Sequence, residues 1–411
     1  MNRALLRSEV QDFIREHLHA DTTSIILKGS PFGDVSAKEL AGQIESMSRA
    51  EKKLPTWFKT PNIYYPPSLS IEQTSSEVTA AYKASLFQGI HFVDITGGLG
   101  VDDLYFARQF KKVDHCEINT ALSAIADHNF RQLGIDNISC HPEDGIQFLK
   151  TLKSIDMAYA DPARRDDHKG KVFLLSDCTP DISVHLKDLL EISTRIMIKT
   201  SPMLDLRAGL EQLSHVKEIH IVAVKNEVKE LLWVISRCKD QNGSTGDSKD
   251  KQAAAQGDNP LIVCVNLDER KPTPEKFSFS LAQLENVTAK TGAVSTYLYE
   301  PNAAIMKSGA FGLITQTYNV KKLHPNTHLY TSDELVSFPG RSFRVKQVLD
   351  YNKKTIKKAL GGQKANITTR NFPETVAQLR KKFKINDGGE NYVFFCTAAD
   401  GRKIVILTEK V

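Results

Sequence analysis

The stretch His91–Asp103, HFVDITGGLGVDD, decides how the rest of the chain is read. Ile90, Phe92, Val93 and Ile95 have the apolar density of a buried parallel strand, and Leu104, Tyr105, Phe106 and Ala107 continue at helical spacing. Gly97, Gly98 and Gly100 therefore fall at a strand-to-helix turn, where a ligand can approach bare backbone.

Dinucleotides and S-adenosylmethionine both use such a turn, and the third glycine helps to separate them. A dinucleotide fingerprint places a glycine three residues beyond its second one. Counting from Gly98 and Gly100, that place holds Asp103, with a second acid, Asp102, beside it. Carboxylates there suit a helix N-terminus but repel a pyrophosphate, whereas the methionine end of the sulfonium cofactor carries an ammonium that acids can hold.

The 411 residues suffice for two or three domains, with 41% hydrophobic content, ordinary for a globular protein. No apolar run approaches membrane-spanning length, and the first twenty residues read as an amphipathic helix rather than a signal peptide, so the expectation is a cytoplasmic protein without a membrane partner. Six cysteines (116, 140, 178, 238, 264, 396) lack zinc-ligand spacing and read as reduced, mostly core-packed thiols; no metal is expected. Charge is uneven: residues 321–411 hold 18 Lys+Arg against 8 Asp+Glu, +10, and the first 320 hold 36 against 41, −5. A basic C-terminal module suggests a polyanionic partner.

Residues 1–88 read as an N-terminal helical region, with a helix from Ala37 to Lys52 capped by Ser36 and a further helix over SIEQTSSEVTAAYKASLF. The polar run Glu72 to Ser76, Gln73 included, caps that helix or reaches over a cofactor. Regular βα alternation starts at Ile90. The second strand, Val113 to Glu117, ends in an acid 23 residues after Asp94, where a ribose is met in parallel sheets. After a short third strand, Ile138 to His141, Asp144 either accepts from an adenine amine or stabilises its own helix N-terminus.

The fourth strand, Asp156 to Ala160, ends in Asp161-Pro162-Ala163-Arg164-Arg165, at the rim where open α/β sheets place their chemistry; a surface salt-bridge turn is the other reading. Strand five is Ile196 to Lys199. Strands Leu231 to Ser236 and Leu261 to Leu267 are expected to form a hairpin tipped by a polar loop at about 239–259. Lys271 to Lys276 reads as a linker, residues 277–320 as a small connecting domain, and 321–411 as a small α/β module. There Lys353, Lys354, Lys357 and Lys358 line adjacent helical rows, and Arg380, Lys381, Lys382 and Lys384 crowd a helix end. Such lysines serve nucleic-acid binding or are solvated surface.

Taken together, Asp94-Ile-Thr-Gly-Gly-Leu-Gly100, Glu117, Asp144 and the Asp161 corner resemble the successive motifs of a class I S-adenosylmethionine-dependent methyltransferase over residues 72–240. More narrowly the chain resembles bacterial methyltransferases with a C-terminal THUMP-like domain, through Glu72-Gln73-Thr74-Ser75-Ser76-Glu77, the 161–165 corner and Glu300-Pro301-Asn302. The resemblance implies a Rossmann-like α/β fold: a seven-stranded, largely parallel sheet with one antiparallel strand over a domain at 89–270, followed by a small C-terminal α+β THUMP-like domain. It implies that Thr96, Gly98 and Gly100 flank the methionine part of the cofactor, Glu117 the ribose and Asp144 the adenine, with Asp94, Gly97, Asp102, Ile118, Gly145 and Gln73 also among the cofactor-binding residues. Asp161, Pro162 and Arg164 would face the methyl group and acceptor. Thr96 stands where the commonest pattern has its first glycine, a departure shared with rRNA guanine-N2 methyltransferases.

Methyl transfer from a sulfonium is an in-line displacement needing no metal, and alignment alone is worth on the order of 7 kcal/mol or more. Asp161 and the Pro162 carbonyl suit an exocyclic base amine. Ala163 and Arg164 replace the second proline and aromatic ring of DNA-adenine corners, which turns the reading toward RNA, with an arginine to stack on a base or grip phosphate. Carbon-5 methylation needs a thiolate. Ala163 and Ser201 occupy the places where related families carry that cysteine, and Cys178 reads as core. The expected function is methylation of a base amine in RNA; the alternatives are a cofactor-binding module without turnover and a small-molecule methyltransferase.

Overall fold

The computed structural model describes residues 1–164, 174–237, 259–285 and 287–411. Cys238, Arg165, the side chain of Arg164 and the loop expected at about 239–259, up to residue 258, lie outside them. Contacts divide the chain into two compact units, Met1–Lys217 with Leu231–Asp258 and Glu218–Glu230 with Asn259–Val411.

In the first unit, short helices precede the sheet. Ala37–Lys53 starts at a reciprocal cap, Ser36 and Glu39 each accepting from the other's backbone N–H. Its buried face, Leu40, Ile44 and Met47, joins Trp57, Ile63 and Ile71 in a core that includes Leu99, Val101 and Leu104, so the helical region packs on the helix that follows the glycine turn. The expected helix over residues 70–87 is two helices, Ser68–Gln73 and Glu77–Ala84. Thr74 and Ser76 are extended between them, and Ser76 caps the second by accepting from Thr79 N–H.

The strands are β1 (Gly89–Asp94), β2 (Phe110–Cys116), β3 (Ile138–His141), β4 (Ile155–Ala160), the two-residue β5 (Ala163–Arg164) and β6 (Cys178–Thr179), β7 (Ser193–Thr200), β8 (Val216–Val224) and β9 (Glu227–Ile235). β1 pairs parallel with β2 and β4, β2 with β3, and β4 with β7. β9 pairs antiparallel with β7, and beyond it the order continues through β8, so that with two further strands the sheet has nine strands among the described residues and not the seven expected. The C-terminal ends of β1, β2, β3 and β4 therefore share one rim. That is the Rossmann-like methyltransferase arrangement expected, and it gathers Asp94, Glu117, Asp144 and Asp161 from four separate turns.

In the second unit β10 (Leu261–Leu267) pairs parallel with β8 and antiparallel with β11 (Glu275–Ser280). The expected hairpin of β9 with β10 does not form. β10 is apolar and nearly all buried, which suits a strand paired on both edges, and β8 and β11 take both. β11 also begins inside the stretch expected to be linker, Lys271 to Lys276.

A seven-stranded sheet follows, built from β12 (Tyr297–Pro301), β13 (Lys321–His324), β14 (Thr327–Ser332), β15 (Gly340–Asp350), β16 (Asn366–Arg370), β17 (Asn391–Thr397) and β18 (Lys403–Lys410). Its order is β13-β14-β12-β15-β18-β17-β16. Helices Lys353–Leu360 and Val376–Phe383 bury Ile356, Leu360, Leu379 and Phe383 against Val393, Phe395 and Val405. The sheet curls until its far edges meet: Thr327 Oγ1 donates to Thr397 O at 2.8 Å, and Asn371 Nδ2 lies 3.3 Å from His324 Nδ1.

Candidate functional site

Buried Asp94, at the end of β1, accepts at Oδ1 from Thr96 N–H at 2.7 Å and lies 3.1 Å from Thr96 Oγ1. Thr96 Oγ1 in turn accepts from the Asp161 backbone N–H at 2.7 Å. This hydrogen bond ties the end of β4 to the glycine turn. Burial first, then the neighbouring Asp103 carboxyl, push the Asp94 carboxyl well above the usual carboxylate range.

The turn itself is steric. Gly100 has φ +78°, and a Cβ on it would sit 2.1 Å from the Phe130 ring; one on Gly97 would sit 2.2 Å from the His115 ring. Gly98, φ +60°, faces open space, its ideal Cβ nearest Thr96 O at 3.8 Å. The wall of the site thus opens at Gly98. Glu117, just past β2, accepts from Gly98 N–H at 2.9 Å and from Asn119 N–H at 2.7 Å. Beside it Ile118 is 72% exposed, an apolar face left at the rim. At the end of β3, Gly145 packs where a Cβ would meet Ile95 Cα at 2.4 Å, bringing that turn against β1.

Two acids are engaged differently from the cofactor contacts expected of them. Asp144 Oδ1 accepts from Ile146 and Gln147 N–H, 2.8 and 3.0 Å, so of its two open roles the helix cap is the one formed. Asp102, expected beside the methionine part, points into the interior: Lys83 Nζ lies 2.8 Å from Oδ1, and Ser75 Oγ and Tyr159 Oη donate to Oδ2, each at 2.8 Å. Burial raises its carboxyl, and the Lys83 ammonium overcomes this and leaves it below the ordinary value. Asp103 takes no ligand position either; its Oδ2 lies 2.8 Å from His115 Nδ1, both buried. Gln73 is exposed at the end of its short helix. Glu77 accepts from Thr56 N–H at 2.6 Å and Tyr105 Oη at 2.8 Å, so most of the 72–77 run fastens helices together.

The acceptor corner is half-open, with Pro162 buried and Ala163 exposed. Its backbone continues into β5, antiparallel to β6, with Ala163 opposite Thr179 and Arg164 opposite Cys178. The Cys178 thiol is buried, as expected of a core cysteine. Lys199 from β7 reaches the corner: its Nζ lies 2.6 Å from Asp161 Oδ2. Sequence reasoning placed Lys199 on strand five without a role and passed over Lys83; in both cases the signal is a lysine at a position where an apolar strand or helix face calls for a core residue. Among the described residues no cluster of three or more His, Cys, Asp or Glu could hold a metal, and no helix is long and apolar enough to cross a membrane.

Residues 297–339 match a family model described as a ferredoxin-like domain, and residues 340–410 one described as THUMP domain-like. Across its whole length the chain is similar to a crystal structure described as a "putative methyltransferase" from Porphyromonas gingivalis W83, with 32% identity over 100% of this chain and 98% of that one and a TM-score of 0.84. Partial likenesses include an rRNA methylase from Streptococcus thermophilus, 15% identical over 40% of this chain and 95% of that one, TM-score 0.29. Another is TrmK of M. capricolum in complex with S-adenosyl-homocysteine, 18% identical over 44% and 75%, TM-score 0.31. No curated protein matches the sequence significantly.

Proposed function

The chain belongs to the family of methyltransferases with a C-terminal THUMP-like domain, and from that premise we propose that it uses S-adenosylmethionine to methylate an exocyclic base amine in RNA. The observation that carries the reading is the Asp161 N–H to Thr96 Oγ1 hydrogen bond of 2.7 Å, which fixes an acceptor corner to a cofactor turn. The residues present fit an adenosyl ligand: the turn is open at Gly98, a carboxylate stands at the end of β2, and Ile118 offers an apolar surface next to it.

When bound, the cofactor supplies a sulfonium methyl for in-line transfer. Glu117 would receive the ribose hydroxyls, Ile118 the adenine face and Asp144, through Oδ2, the adenine amine. Asp94 would meet the ammonium of the methionine end, with Gly97, Gly98 and Gly100 leaving room at the backbone. Asp161 and the Pro162 carbonyl accept N–H bonds from the acceptor amine, which aims its lone pair; Lys199 holds one oxygen of Asp161 and leaves Oδ1 for the substrate. Arg164 is assigned to a base or phosphate of the RNA. The basic residues 321–411 give the RNA a second attachment.

The test is incubation with methyl-labelled cofactor and total RNA from a strain lacking the protein. Label in RNA supports the proposal. Calorimetric cofactor binding with no label in RNA turns the reading to a binding module or a small-molecule enzyme, and absence of cofactor binding by folded protein overturns it.

A further inference from the structure

The lysine rows that make the C-terminal part basic are not where its charge is most firmly held in place. Lys353, Lys354, Lys357 and Lys358 are solvent-exposed, Lys382 Nζ is 2.8 Å from Glu374 Oε1, and Arg380 is paired with Asp387. Charge held in place by partners lies where the sheet curls. Glu300, at the end of β12 and 3% exposed, is the only carboxylate that Arg341 and Arg370 pair with among the described residues: Arg341 Nε lies 2.7 Å from its Oε2 and Arg370 Nη2 2.6 Å from its Oε1. Both arginine side chains remain more than a third exposed.

Behind them is a third cation. Lys322 on β13 is 2% exposed and pairs with no carboxylate among the described residues; its Nζ donates to Pro325 O at 2.6 Å and lies 4.7 Å from the centre of the Phe311 ring. Phe311 also packs on His328, ring centres 3.9 Å apart, and burial with the charges of Lys322 and Arg370 drives that imidazole down to about 4, so it is neutral. His328 Nδ1 and Arg370 Nε are buried without a hydrogen-bond partner. Two guanidiniums thus share one carboxylate, Lys322 and Arg370 both act on His328, and the excess positive charge draws an anion to the exposed sides of the arginines.

We propose that Arg341 and Arg370, backed by Lys322, form a cradle for a phosphodiester of the RNA backbone. It rests on the reading of RNA as substrate and deepens it by naming where the second attachment lies. Glu300 takes Nε and Nη2 of Arg341 and Nη2 of Arg370, which holds both guanidiniums in position and leaves Arg341 Nη1 to donate to a phosphate oxygen beside the Arg370 charge. Lys322 strengthens the field from behind, through protein rather than water. The contact is with backbone and so carries no sequence preference.

The experiment is binding of the full-length protein to a fluorescein-labelled, mixed-sequence single-stranded RNA, titrated over a range of salt concentrations. Arg341→Gln and Arg370→Gln should each weaken binding about tenfold and flatten the slope of log affinity against log salt by roughly one. Lys353→Gln with Lys357→Gln should change both less. Arginine variants that are folded yet bind as the unsubstituted protein does would overturn the cradle. Should they not fold, Lys322→Met decides: losing a buried ammonium without a carboxylate partner, it should melt no lower and bind RNA several-fold more weakly, and unchanged binding would overturn the proposal. Inorganic phosphate at matched ionic strength separates the two sources of the same oxyanion. Displacement of RNA no better than by chloride supports a polymer site; saturable displacement by phosphate, with an unaltered RNA salt slope in the variants, would make it a site for free phosphate. If the unsubstituted protein binds no RNA, the reading of RNA as substrate fails with it; if it binds and the arginine variants match it, the cradle alone fails.

Discussion

Lys199 and Asp161, 38 residues apart, are joined by an ion pair of 2.6 Å across neighbouring parallel strands, β7 and β4. The lysine is 16% exposed and the carboxylate 30%, so neither is fully solvated. With the backbone of Asp161 already fixed by Thr96, the pair leaves the carboxylate little rotational freedom, and its Oδ1 keeps one direction for an incoming donor.

Asp161→Ala is therefore expected to abolish methyl transfer to RNA while leaving S-adenosyl-homocysteine affinity, measured by calorimetry, within about twofold. Lys199→Met should keep that affinity too but lower kcat by about 10²-fold, the scale on which misplacement of an aligned group is felt. Equal loss of kcat and of cofactor affinity in Lys199→Met would mean that the lysine supports the sheet rather than the acceptor.

The Lys83 and Asp102 pair sits deeper. Lys83 Nζ also donates to Ser75 Oγ at 2.7 Å and lies 3.3 Å from Tyr159 Oη, so one ammonium joins the segment before β1, the helix after the glycine turn and the strand that ends in the acceptor corner. Lys83→Met leaves a buried carboxylate without its cation and should cost about 3–5 kcal/mol in urea unfolding. Lys83→Met with Asp102→Leu should recover much of that loss. The native Asp102 carboxyl lies below its unfolded value, so its contribution is present above about pH 4 and is lost as pH falls through the native value. The stability gap between Lys83→Met and the unsubstituted chain should therefore narrow on acidification below about pH 4.

Three glycines of the turn should answer differently to alanine. Gly100→Ala meets both a left-handed φ and the Phe130 ring, and Gly97→Ala meets the His115 ring, so each should lower the melting temperature by several degrees or prevent folding. Gly98→Ala has free space and carries only the conformational cost of φ +60°, about 1 kcal/mol. It fills the open wall, however, and is expected to weaken S-adenosyl-homocysteine binding at least tenfold in protein that remains folded. Undiminished binding would remove Gly98 from the cofactor surface.

What the sequence made legible was local. The glycine turn, Glu117, Asp144 and Asp161 follow strand ends, and strand periodicity with turn residues is written in adjacent positions. The engagement of Asp102 with Lys83 was not legible, because the partner lies 19 residues away on another helix and an acid at a helix N-terminus has a sufficient local explanation. β10 misled for a related reason: a loop between two strands suggests a hairpin, whereas the partner of a strand buried on both faces is chosen by the sheet. The strands β13 and β14 escaped because KKLH and THLYTS alternate polar and apolar residues only briefly. Glu300-Pro301-Asn302 was recognisable as a motif, but its physical content is tertiary: Glu300 binds two arginines, and Asn302 caps the next helix by accepting from Ile305 N–H at 3.1 Å.

Lys322 provides a pH signature of its own. Burial lowers its ammonium from the ordinary 10.5 to about 8, so the native chain releases this proton at lower pH than the unfolded chain does. Between about pH 8 and 10 the unfolded state binds more protons at this site, and the sign of the linkage makes stability rise with pH there. Below pH 8 the lysine is charged in both states and its burial cost is felt in full. Lys322→Met removes that cost, so at pH 7 the variant should be the more stable by roughly 1–3 kcal/mol, and the difference should shrink toward zero as pH approaches 10. Urea unfolding of both proteins at pH 7, 8, 9 and 10 measures this. A stability difference that stays constant with pH would place the Lys322 ammonium in a solvated or anion-paired state.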